Sequence, residues 1–96
     1  MKNKLTFIDL FAGAGGLSLG FCEAGFTGRF AIEKNKDAFS TLKCNLIDNH
    51  YFNWPQWLPQ TELDIVEVLE KYKEKLNTLS GTIDVVIGGP PCQAFS

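Results

Sequence analysis

Lys4-Leu5-Thr6-Phe7-Ile8-Asp9-Leu10-Phe11-Ala12-Gly13-Ala14-Gly15-Gly16 decides how this chain folds. Residues 4–11 are short, apolar and bulky, which predicts a strand. Residues 12–16 predict a glycine-rich turn, where absent Cβ atoms let the backbone bend tightly and approach a ligand. Residues 17–24 predict a helix closed by Gly25. The start of that helix offers free N–H groups to whatever lies over the turn.

The pattern repeats outward. Residues 28–33 predict a second strand, and Asn35 can cap a helix running to about residue 45, with Ala38, Phe39 and Leu42 on one face. From Leu46 to Glu62 the periodicity lapses into a loop holding two Trp, two Pro and His50, and no third strand is evident there. Residues 66–79 predict a helix with Val66, Leu69, Tyr72, Leu76 and Leu79 near helical spacing, ended by Gly81. Residues 82–87 predict a last strand whose run Val85-Val86-Ile87 suggests burial on both faces. Alternating strands and helices make the class α/β with a mainly parallel sheet. A buried strand running into Gly88-Gly89-Pro90-Pro91 with no covering helix predicts that residues 1–96 are the N-terminal part of a larger domain. A complete small domain is the alternative.

Composition narrows the classes. The chain is 45% hydrophobic and 21% charged, which argues against disorder. It has no 18-residue apolar run, and its N-terminus lacks the apolar stretch of a secretory signal. A net charge of −2 gives no broad grip on phosphates, so any nucleic acid would need local contacts. Three cysteines, an odd number with no Cys-x-x-Cys, argue against a disulfide framework or a zinc site. Reduced thiols in the cytoplasm are expected, with Cys22 and Cys44 acting as small buried hydrophobes.

Two turns carry chemistry. Glu33 stands 20 residues after Gly13, the distance at which an acidic residue binds ribose hydroxyls in nucleotide-binding βαβ units. Ser18 occupies the place where a dinucleotide fingerprint needs glycine. The turn therefore suits a ligand with ribose and adenine but no pyrophosphate, of which S-adenosylmethionine (SAM) is the common one. A tight turn with no ligand is the plainer alternative. In the second turn, Pro90 and Pro91 stiffen the approach to Cys92 just beyond a strand. Ligands bind at the carboxyl edge of such sheets. If the first and last strands are neighbours, the thiol faces the cofactor pocket as a candidate nucleophile. The alternative is a merely structural turn.

Together these residues resemble the DNA cytosine-5 methyltransferase family. Residues 7–16 look like its first motif, and Gly88-Gly89-Pro90-Pro91-Cys92-Gln93-Ala94-Phe95-Ser96 looks like its catalytic-loop motif. The resemblance implies a Rossmann-like SAM-dependent methyltransferase fold, cut after the strand that precedes the catalytic loop. It implies that residues 1–96 are the first part of one catalytic domain, without the target-recognition domain. Phe11 would stack near the adenine, with Gly13, Ala14 and Gly16 at the methionine end. Glu33 would bind the ribose, with Lys34 beside it. Asp64 and Ile65 would contact the adenine amine and ring, although Leu63 stands where the family usually has glycine. Gly89 and Pro91 would border the pocket. Gln93 and Ser96 would begin the loop that closes on DNA, and Cys92 would attack carbon 6 of a flipped cytosine. S-adenosylhomocysteine would be the product, and no metal is called for. The setting implied is the cytoplasm of a bacterium, at the nucleoid, in a restriction-modification system. Residues 1–96 by themselves are expected to be inactive, to keep weak SAM binding and to self-associate.

Rival readings differ at single features. An amino-group DNA methyltransferase shares the first turn but needs no cysteine in the second. A transfer-RNA cytosine-5 methylase of the DNA-methylase type has nearly the same catalytic turn. RNA methylases of the other cytosine-5 family place the cysteine later, and a NAD dehydrogenase is disfavoured by Ser18. A non-catalytic SAM-binding module is the alternative from a different class. For the rest, His50 reads as exposed, Trp54 and Trp57 as loop anchors, and Tyr72 as core.

Overall fold

A computed structural model describes residues 5–87 of the 96. The second turn, with Gly89, Pro91, Cys92, Gln93 and Ser96, lies outside the described residues.

The first predicted strand forms as β1 (Thr6–Asp9), followed by α1 (Gly16–Glu23), β2 (Thr27–Ala31) and α2 (Lys36–Leu42). A π-helical turn, Lys43–Ile47, extends α2. After the loop come α3 (Ile65–Lys71), α4 (Lys73–Asn77) and β3 (Val85–Ile87). The sheet is parallel with order β2-β1-β3, so the first and last strands are neighbours. The loop contributes only an isolated parallel bridge, Gly28 to Phe52. No helix among the described residues is long and apolar enough to cross a membrane.

Alternation along β1 sends side chains to opposite faces. Phe7 packs against α1, α2 and the loop, with ring centroids 5.4 Å from Phe21 and 5.5 Å from Phe52. Ile8 and Leu10 join Phe30, Ile32, Leu58 and Val68 on the other face. There Trp54 donates its indole N–H to the Leu58 carbonyl at 2.8 Å, and Trp57 lies against Tyr72 at 5.7 Å. Both tryptophans therefore anchor the loop.

Three expectations need correction. Residues 66–79 are two helices, since the backbone leaves helical geometry at Tyr72 (φ −113°, ψ 25°). Val86 is 59% exposed rather than buried, because β3 is an edge strand whose outer side has no partner among the described residues. Cys44 is exposed while Cys22 is buried. The wider π-helical turn carries both Leu46 and Ile47 inward and leaves Cys44 facing out.

Gly28 pairs with Phe7 across the sheet, and a Cβ there would sit 2.6 Å from the buried Phe52 ring. Gly28→Ala is expected to lower stability by about 1–3 kcal/mol in urea unfolding, since the packed ring has little room to retreat.

Candidate functional site

The chain leaves β1 through three differently directed N–H groups. Leu10 N–H donates to the Ile87 carbonyl of β3 and Ala12 N–H to the Ile32 carbonyl beyond β2, each at 3.0 Å. Between them, Phe11 N–H donates to Asp9 Oδ1 at 3.2 Å. The glycine turn follows, with Gly13 at φ 58° and Gly15 at φ 100°, backbone that side chains rarely tolerate. Gly15 also lies against the helix below: a Cβ there would meet Leu46 Cδ1 at 2.7 Å and Leu42 Cγ at 3.4 Å. A Cβ on Gly13 or Gly16 would meet no atom within 4 Å, so the outer side of the turn is open.

Glu33 ties the turn to the end of β2. Its Oε1 accepts the Gly13 N–H at 2.7 Å and its Oε2 the Asn35 N–H at 2.9 Å. Each oxygen keeps a further lone pair for a ligand hydroxyl. The Glu33 carbonyl accepts the Leu63 N–H at 2.9 Å, which draws the start of α3 to the same edge. Asp64 caps that helix, with Oδ1 accepting the Val66 N–H at 2.8 Å.

The result is a groove of about 420 Å³ whose lining includes Phe11, Gly13, Glu33, Lys34, Asp64 and Ile65. That lies within the roughly 300–1,000 Å³ of small-molecule sites. Six residues singled out in the sequence thus converge from three separate segments. Ala14 and Gly16 sit on the turn but do not line this groove. The donor set fits a nucleoside. Phe11 is 41% exposed and offers a ring face, Glu33 suits a diol, and Asp64 suits an exocyclic amine.

Sequence reasoning missed Asp9 and Ser18 as a pair. Both are buried, and Ser18 Oγ donates to Asp9 Oδ2 at 2.7 Å. Asp9 reads as one polar residue in an apolar strand and Ser18 only as a missing glycine. The signal was a polar residue at an inward strand position matched by one on the facing helix.

Burial pushes the Asp9 carboxyl above its usual value, against the hydrogen bonds from Ser18 and the Phe11 N–H, and the nearby Glu33 charge pushes it further. The folded chain therefore holds the Asp9 proton more tightly than the unfolded chain. As pH rises from about 4 through the raised value, Asp9 subtracts from stability. Asp9→Asn should remove that slope, so urea midpoints measured across acidic pH should fall less steeply with rising pH than in wild type. Gly15→Ala should cost about 2–4 kcal/mol, combining a strained φ with the Leu46 clash, and would be read by the same unfolding measurement.

Comparison with known proteins agrees with this geometry. The family model for C-5 cytosine-specific DNA methylase matches residues 5–96. The Type II methyltransferase M.AgeI of Thalassovita gelatinovora is 43% identical over 91 residues, covering 93% of this chain and 19% of the relative. M.AquIA of Picosynechococcus sp. is 40% identical over 99 residues, covering 100% of this chain and 35% of the relative. A solved structure from E. coli, described as a DNA modification methyltransferase encoded within a prophage, superposes with a TM-score of 0.69 at 35% identity. That match covers 97% of this chain and 24% of the other. The chain thus spans between a fifth and about a third of these proteins. From its first motif at the glycine turn to its last residue, the chain belongs to the C-5 cytosine-specific DNA methylase family.

Proposed function

We propose that the protein to which this chain belongs methylates carbon 5 of cytosine in DNA, using SAM, and that Cys92 is its nucleophile. The observation that carries the reading is the convergence of Phe11, Glu33 and Asp64 on one groove at the carboxyl edge of the sheet. The pairing of β3 beside β1 supports it, because the chain passes from Ile87 directly into the segment that holds Cys92.

In this reading the groove holds the adenosine. Phe11 stacks on the adenine, Asp64 and Ile65 meet its amine and ring, and Glu33 accepts from the ribose hydroxyls, with Lys34 beside it. Gly13, Ala14 and Gly16 leave room for the methionine end, and Gly89 and Pro91 border it. When bound, SAM supplies an electrophilic methyl group on its sulfonium sulfur. Cys92 acts as the thiolate, since the thiol is a poor nucleophile. It adds to carbon 6 of a cytosine flipped from the duplex, which makes carbon 5 electron-rich. Carbon 5 then takes the methyl group from the sulfonium, whose S–CH3 bond breaks to leave S-adenosylhomocysteine, and loss of the carbon 5 proton expels Cys92 and restores the ring. Gln93 and Ser96 begin the DNA-facing loop. The substrate locates the activity at the bacterial nucleoid, in the cytoplasm, as the modification half of a restriction-modification system. Residues 1–96 in isolation are inactive and self-associate through apolar surface such as Val86 and Leu69, which sedimentation at rising concentration would detect.

The test uses the full-length protein with SAM and duplexes carrying 5-fluorocytosine at candidate sites. Fluorine cannot leave as a proton does, so a covalent adduct should accumulate and register by intact mass. It should map to Cys92 and vanish in Cys92→Ser. Intact SAM binding without an adduct on any duplex would point instead to an RNA substrate or a non-catalytic SAM-binding module.

A further inference from the structure

We propose that Asp9 and Ser18 form a positioning pair that holds the Phe11 backbone, and with it the exposed Phe11 ring, against the groove. The inference rests on the reading of that groove as the SAM site. Neither residue lines the groove. Both act through Phe11.

The end of β1 disposes of its polar groups in different directions. Leu10 and Ala12 find backbone acceptors on the two flanking segments, and the Asp9 carbonyl accepts the Ile32 N–H at 2.8 Å. Phe11 N–H donates to the Asp9 carboxyl at 3.2 Å. That carboxyl cannot swing away, because its other oxygen takes the Ser18 hydroxyl at 2.7 Å from α1. The chain therefore turns out of the sheet at Phe11 along a path set by one carboxyl group with one rotamer.

Stability alone does not call for this arrangement. Phe7, on the same face of β1, is wholly apolar and fully buried. A carboxyl and a hydroxyl taken out of water bear a desolvation cost, and an apolar pair of similar shape is often as stable or more so. Asp9 and Ser18 are the two buried polar side chains among the described residues, and they touch each other one hydrogen bond away from the backbone of a groove-lining residue. Their placement is explained by what they orient.

The experiment uses the full-length protein, with SAM affinity read by calorimetry and stability by thermal unfolding. In the double variant Asp9→Val/Ser18→Ala, the buried pair becomes apolar while the core stays filled. It loses the acceptor of the Phe11 N–H, so it should unfold somewhat below the wild-type temperature, and it should bind SAM about tenfold more weakly. Phe52→Leu, a core change on the far side of Phe7, should lower the unfolding temperature and leave SAM affinity within about twofold. Wild-type SAM affinity in the double variant would overturn the proposal and make the pair a packing feature. Should the double variant not fold, Ser18→Ala decides the same point. It keeps the Asp9 carboxyl but removes the hydroxyl that holds its second oxygen, so weakened SAM binding in a folded protein supports the pair and unchanged binding overturns it. A wild-type protein that binds no SAM is a different failure, since it removes the groove reading itself.

Discussion

Parallel pairing of β1 on both of its edges is the constraint on which the rest depends. Because β2 and β3 run in the same direction as β1, all three carboxyl ends emerge at one edge of the sheet. Each parallel connection must cross back over a face, which places α1 on one side and the α3–α4 pair on the other. The meeting of the glycine turn, Glu33 and the end of β3 at Ile87 is a consequence of that one choice of direction. An antiparallel β3 would deliver Ile87 to the opposite edge from Phe11.

Two apolar clusters clamp this small sheet, and the polar groups among them have defined work. Glu33 bridges the turn after β1 and the loop after β2, so the groove wall and the glycine turn are tied together. Asp9 and Ser18 sit lower, inside the first cluster's face. The open side of the turn, above Gly13 and Gly16, contrasts with the crowded side below Gly15, where Leu42 and Leu46 press up from α2 and its π-helical extension. One side supports the turn and the other leaves it free to meet a ligand. Glycine is needed at Gly15 for contact as well as for conformation.

The aromatic loop does structural work that its composition conceals. Phe52 extends the sheet edge at Gly28, Trp54 closes its own turn, and Trp57 holds Tyr72. By spanning one flank of the sheet, the loop delivers Leu63 to the Glu33 carbonyl and so fixes Asp64 beside the groove. Leu63, unlike glycine, packs into the second cluster while its N–H makes that bond.

Much of this was legible in the residues themselves. Strand, glycine turn and helix follow from local rules of bulk, φ freedom and capping, and the 20-residue spacing from Gly13 to Glu33 brings that carboxylate against the turn because one βα unit has a nearly constant length. The order of the turns, and with it the family, is a property of the chain alone. Strand adjacency is not, because hydrogen bonds between β1 and β3 join residues about 78 positions apart and no local pattern encodes them. Val86 is exposed for that reason, while Val85 and Ile87 pack against the first cluster: an apolar run states what a strand can bury, and its place at the sheet edge decides what it does bury. Cys44 and the break at Tyr72 depended on which faces found partners. The Asp9–Ser18 bond was invisible for the same physical reason, since a buried polar pair has meaning only when the helix has been laid on the sheet and the two side chains meet.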